Sequence, residues 1–166
     1  MLNVHCRMEN CRIAGGALWL MAMVLLAGCS GSQTPQATVT QEETNRQVVL
    51  AFYTEGLINL QPRAAFQRYV SDDFVEHKPD VPLGTKEATI TFLEGLIKEV
   101  PKPTWEVVRT VAEGDLVFLH ASFTPAPGAP AYAIADVFRL SDGKIVEHWD
   151  VVAPPVKQQL NPNSRF

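Results

Sequence analysis

The chain has 166 residues, 46% of them hydrophobic and 19% charged, with 14 basic and 18 acidic side chains and a formal net charge of −4. These values exclude a disordered, collagen-like or low-complexity chain and fit one globular domain. The acidic balance weighs against a nucleic-acid partner, which calls for a basic stripe.

The N-terminus reads as an address. Arg7 and Arg12 precede the uncharged apolar run Ile13 to Leu26. That run is short of the roughly 20 residues a permanent span needs, and it suits a secretory signal. Leu26-Ala27-Gly28-Cys29 follows. This segment resembles the lipobox of bacterial lipoproteins, whose cysteine is lipidated and becomes the new first residue. The resemblance implies a signal peptide over 1–28 and a lipid on Cys29. With Ser30 next, it implies an outer-membrane anchor in a bacterial envelope, facing the periplasm. An uncut anchor, or a plain signal with a chance cysteine, is the alternative. Cys6 and Cys11 would leave with the signal, so neither a disulfide nor a thiolate site is expected. The remaining chain would keep 12 basic and 17 acidic residues, a net −5. Residues 29–41 carry no charge and read as a flexible tether with a reach of roughly 20 Å.

A single domain is expected over 42–153, with a tail over 154–166. Val48, Val49, Phe52, Tyr53 and Leu57 share one face of a helix from Glu42 to Leu60, capped by Thr40 or Thr44. Pro62 suits the first turn of a second helix through Phe66, Tyr69 and Val70. Phe74 to His77 is short and extended. A loop with Pro79, Pro82 and Gly84 leads to a third helix, capped by Thr85, that Pro101 and Pro103 end. The period then changes to two. Trp105–Ala112, Leu116–Phe123, Ala131–Leu140 and Lys144–Val152 read as strands, with turns at Glu113-Gly114-Asp115 and Asp142-Gly143. Helices followed by a four-strand antiparallel meander predict an α+β domain with the helices on one sheet face.

Charged residues fall on apolar faces of these strands. Alternation groups Leu116, Phe118 and His120, and separately Tyr132, Ile134, Asp136, Phe138 and Leu140. In the last strand Val146, His148 and Asp150 oppose Ile145, Glu147, Trp149 and Val151. Either set could face inward, and one bulge would reverse the parity. Two imidazoles and two carboxylates inside an apolar hollow would form a site with shifted pKa values.

The three helices and meander, with Asp136-Val-Phe-Arg-Leu and Asp142-Gly-Lys-Ile-Val-Glu-His-Trp-Asp150-Val, resemble the SnoaL-like polyketide cyclases. These belong to the nuclear transport factor 2-like superfamily, so a cone-shaped α+β barrel is implied. Glu76-His77-Lys78-Pro79, His120 and Asn161-Pro162-Asn163-Ser164-Arg165-Phe166 are similar to segments of the SnoaL-like aldol-condensation enzymes. There, Lys78 stands in place of an Asn and Arg165 in place of a Met. The resemblance turns Asp150 inward and implies that it is the acid/base residue. Asn59 matches an Asn of the family or caps a helix end.

The expected roles follow. Asp150 would move a proton at a carbon beside a carbonyl. His120, oriented by Asp136, would stabilise the developing enolate, and His148 shares the Asp150 face. Asp136 could instead orient His148, or pair with Arg109 or Arg68. His77, Asn59, Phe118 and Phe138 would line the pocket. Tyr53 reads first as core and then as pocket lining. The suitable ligand types lack the tight spacing of a metal site, so no metal or other cofactor is expected. The expected function is a cofactor-free aldol-condensation, isomerase or dehydratase enzyme acting on a small carbonyl-containing or apolar ligand. The alternative is a non-catalytic, membrane-tethered protein that binds a small ligand or a partner. A homodimer is expected from the resemblance.

Overall fold

The computed structural model describes residues 39–100 and 102–166. The signal segment, Cys29 and the tether through residue 38 lie outside the described residues. Helix α1 spans Gln41–Tyr53 and runs on into a π-helical turn at Thr54–Ile58. Thr40 caps α1 by accepting from the Glu43 amide. Leu60, at a φ of 58°, breaks the helix, and Pro62 opens α2, Pro62–Tyr69. Helix α3, Lys86–Glu99, is capped by Thr85, which accepts from the Ala88 amide. Among the described residues, no helix is long and apolar enough to cross a membrane.

The sheet has five strands, one more than the sequence predicts. β1 (Val70–Glu76), β2 (Thr104–Glu113), β3 (Leu116–Thr124), β4 (Tyr132–Ser141) and β5 (Lys144–Ala153) lie in the order β1-β5-β4-β3-β2. Strands β2 to β5 form the predicted antiparallel meander, and β1 adds to its edge parallel to β5. The extra strand is hard to see because Ser71-Asp72-Asp73 interrupts its apolar alternation and its partner is remote in sequence. The Asp142-Gly143 turn has positive φ at both residues, as a two-residue hairpin requires.

All three helices pack on the sheet. Phe52, Phe66 and Phe138 lock α1, α2 and β4 together, with Phe52 at 5.1 Å from Phe66 and 5.8 Å from Phe138, edge to face. Each such pair adds roughly 0.5–1.5 kcal/mol beyond its burial. Buried Asn45 of α1 donates to the Gly114 carbonyl at 3.0 Å, tying the helix to the β2–β3 turn. Helix α3 sits more loosely. Thr89 and Ile90 are buried, while Leu93, Leu96 and Ile97 are partly covered, because this helix walls an open cavity rather than a filled core.

Candidate active site

A cavity of about 460 Å³ lies between α1, α3 and the inner sheet face, a size typical of small-molecule sites. Its wall is chiefly aromatic and aliphatic: Phe52, Phe92, Leu96, Trp105, Ile134 and Phe138 among others. Into this apolar lining project Tyr53, Glu76, Lys78, Asp136, His148 and Asp150, with Asp80 also lining it.

The geometry of β4 and β5 explains the acidic cluster. Asp136 and Asp150 are register partners, directly opposite on neighbouring strands, and cross-strand partners share a face. A bulge in β5 leaves Val146 unpaired, because Leu140 meets Ile145 while Arg139 meets Glu147. Ile145 therefore points inward, and so do His148 and Asp150 after the parity change. The two sets that alternation opposes each contribute inward residues, and Trp149 is left on the outer face.

Asp136 is 5% exposed. Burying a carboxylate costs several kcal/mol unless it is paired, and its Oδ1 lies 3.2 Å from His148 Nε2. His148 Nδ1 lies 2.9 Å from both oxygens of buried Glu76. The ring stacks on Phe138 at 4.7 Å. Burial pulls the His148 imidazolium towards its neutral form, but Asp136 and Glu76 outweigh it and push its pKa up to about 10. Burial raises the Asp136 carboxyl, and the Asp150 charge adds to this, while His148 offsets part of the rise. Burial and then the Asp136 charge raise the Tyr53 phenol far above its ordinary value. Tyr53 Oη and Asp136 Oδ2 are both buried, and neither makes a hydrogen bond among the described residues.

Lys78 Nζ donates to Asp150 Oδ2 at 2.8 Å and lies 3.5 Å from Asp80. Partial burial pulls the Lys78 ammonium down, but Asp150 and Asp80 together hold it above its ordinary value. No group of three acidic, His or Cys side chains is arranged to hold a metal among the described residues.

Asp150, Asp136, His148, Tyr53 and Phe138 thus meet in one cavity. His120 and Phe118 do not, which corrects the expected β3 parity. Leu119 pairs with Asp136 and Val117 with Phe138, so Val117, Leu119 and Ala121 turn inward and are fully buried. Phe118, 39% exposed, and His120 lie on the outer face, where the His120 ring is 6.0 Å from that of Phe166. Asp136 orients His148, not His120, and pairs with neither Arg109 nor Arg68. His77 is also outside, stacked on Trp149 at 4.5 Å. Asn59 is exposed and borders a shallow depression beside Glu55 and Arg68. Glu76 and Lys78 join the site instead. The signal for both was the alternation that continues inward from buried Phe74.

The family described as SnoaL-like domain matches residues 49–148. No curated protein matches the chain. Among solved structures, a candidate SnoaL-like polyketide cyclase from Jannaschia sp. CCS1 superposes with a TM-score of 0.58 at 21% identity, covering 72% of this chain and 91% of its own. AclR, a candidate hydroxylase from Streptomyces galilaeus, gives 0.57 at 23% identity, over 67% and 90% of the two chains. A nuclear transport factor 2-like protein of unknown function from Mesorhizobium loti gives 0.56 at 18%, over 71% and 98%. At these identities the likeness is one of fold.

Proposed function

The chain belongs to the SnoaL-like domain family, and from that premise we propose that it is a cofactor-free acid/base enzyme for a small, largely apolar carbonyl compound. The observation that carries this reading is Asp150. Its side chain is 8% exposed in an apolar cavity, Lys78 engages one carboxylate oxygen, and Oδ1 has no partner among the described residues. Oδ1 is the atom that would take a proton from a carbon beside a carbonyl. Such a proton transfer opens aldol condensation, isomerisation and dehydration alike. The His120 role expected from the sequence falls to groups inside the cavity.

Proton exchange tests the reading. Small ketones incubated with the protein in heavy water should lose their α-hydrogens faster than in buffer. Asp150→Asn should abolish the excess while the variant stays folded. An undiminished rate in that variant, or no excess for any ketone, rejects the mechanism. One observation favours a second reading, a ligand-binding protein without turnover. Lys78 stands where the resembled family has an Asn and holds one oxygen of Asp150 in an ion pair, as a structural carboxylate would be held. Retained ligand binding with no exchange would select it.

The Leu26-Ala27-Gly28-Cys29 motif supports export and lipid anchoring in the cell envelope. Cys29→Ala should release the protein from the membrane fraction, and mass spectrometry of the N-terminal peptide should find the lipid on Cys29. An unmodified Cys29 rejects this part.

A further inference from the structure

Lys78 brings a primary amine into the cavity and sets it against the base. Its side chain is 18% exposed, and Nζ lies 2.8 Å from Asp150 Oδ2 and 3.5 Å from Asp80 Oδ2. The backbone behind it is fixed, because the Lys78 amide donates to buried Glu76 Oε1 at 2.9 Å. No other lysine among the described residues lines the cavity. Lys86 donates to the Val70 carbonyl and to Asp72, and Lys98, Lys102, Lys144 and Lys157 are exposed. An amine, a carboxylate beside it and an apolar hollow around both are the parts that imine formation needs. We propose that Lys78 is a nucleophile that condenses with an aldehyde held in the cavity, with Asp150 carrying the protons. This rests on the proposed reading for its carbonyl ligand and goes beyond it in making the reaction covalent at Lys78.

The ion pair is one proton transfer away from a neutral amine beside a carboxylic acid. Partial burial already pulls the ammonium down, against Asp150 and Asp80, which hold it charged in the open cavity. A ligand that displaces the cavity water raises the cost of both charges, and that cost can exceed their mutual attraction. The proton then passes from Nζ to Asp150 Oδ2. The nitrogen lone pair forms the N–C bond, the carbonyl π pair goes to oxygen, and one N–H proton follows it to give a carbinolamine. Asp150 returns its proton to that hydroxyl as the C–O bond breaks, so ammonium and aldehyde become iminium and water. The iminium stays beside the restored carboxylate, so the charge pair is kept. Its positive nitrogen then acidifies the neighbouring C–H, whose proton passes to Asp150 while the C=N π pair moves to nitrogen. No oxidant, reductant or other reactant is needed. Esters, amides and carboxylates form no imine with an amine. A ketone's second carbon substituent hinders an amine already flanked by two aspartates, so an aldehyde suits the site best.

Reductive trapping tests this. The full chain is incubated with 2-naphthaldehyde and sodium cyanoborohydride, which turns an iminium into a stable naphthylmethyl amine, and the labelled lysines are located by peptide mass spectrometry. Lys78 should be labelled about tenfold faster than any exposed lysine, because the cavity holds the aldehyde against it. Lys78→Arg keeps a positive charge beside Asp150 but forms no stable imine. That variant should lose the fast label while the exposed lysines keep theirs. Labelling of Lys78 no faster than that of the exposed lysines, or a Lys78→Arg chain that takes up label as fast as the native one, overturns the proposal. The peptide map of the native chain decides the matter even where the variant does not fold. Fast labelling of Lys78 without ketone exchange leaves the nucleophile standing and removes the acid/base turnover. Exchange without labelling of Lys78 removes the nucleophile alone.

Discussion

Lys78 Nζ and Asp150 Oδ2 form an ion pair at 2.8 Å that bridges the loop after β1 and the end of β5. Neither side chain is more than 18% exposed. Removing one partner of such a pair strands the other in a poorly solvated place. Lys78→Met should therefore destabilise the fold by about 2–3 kcal/mol, and Lys78→Met with Asp150→Asn should recover much of it. Urea denaturation of the four proteins of the cycle measures both. A Lys78→Met protein as stable as the native chain would mean that the pair contributes nothing.

His148 makes stability depend on pH. Its pKa is raised from 6.5 in the free side chain to about 10 in the fold. The folded chain therefore holds a proton that the unfolded chain releases, and the raised Asp136 carboxyl acts in the same sense. Stability from His148 is whole below pH ~6.5 and drains as pH rises towards ~10, with a slope of at most about 1.4 kcal/mol per pH unit. His148→Gln should flatten the curve across that window. Parallel curves for the two proteins would show that the imidazolium is not held between Glu76 and Asp136.

His120 should be dispensable to the cavity. It lies on the outer sheet face opposite Ala135, and its neighbour is the C-terminal Phe166. His120→Ala should leave the stability and any ketone exchange of the native protein unchanged within about twofold. A tenfold loss in either would require an inward His120, contrary to the register.

What the sequence could reveal about this site depended on strand composition. In β4 one face carries Tyr132, Ile134, Phe138 and Leu140, and the other includes Ala133, Ala135 and Arg139, so Asp136 could be turned inward on alternation. In β3 both faces are apolar, Leu116 and Phe118 against Val117, Leu119 and Ala121, so parity carried little information and His120 was misplaced. The β5 parity depended on a bulge at Val146, which periodicity cannot locate, and family resemblance supplied the inward Asp150. The Glu76–His148 bond needs β1 paired with β5 across 72 residues, a contact no local pattern encodes. The helices were legible because their caps and breaks, Thr40, Pro62 and Thr85, are local chemistry.

Gly84 couples a distant turn to the same site. Its φ is +58°, a region that a Cβ disfavours. A Cβ there would also meet the Glu76 carbonyl oxygen at 2.6 Å, a backbone atom that cannot swing away. Next to it Thr85 bridges Val75, so this turn clamps the end of β1 that carries Glu76. Gly84→Ala must either distort the turn or push β1 away from it. The strained φ alone costs about 1 kcal/mol or more, and displacement of Glu76 would loosen its hold on His148. The variant should lose stability by about 2 kcal/mol, and the His148 pKa, followed by ring-proton NMR, should fall from about 10 towards its ordinary value. A Gly84→Ala protein with native stability would place the turn elsewhere. One that is destabilised with an unmoved His148 pKa would show that the strain stays in the turn and does not reach Glu76.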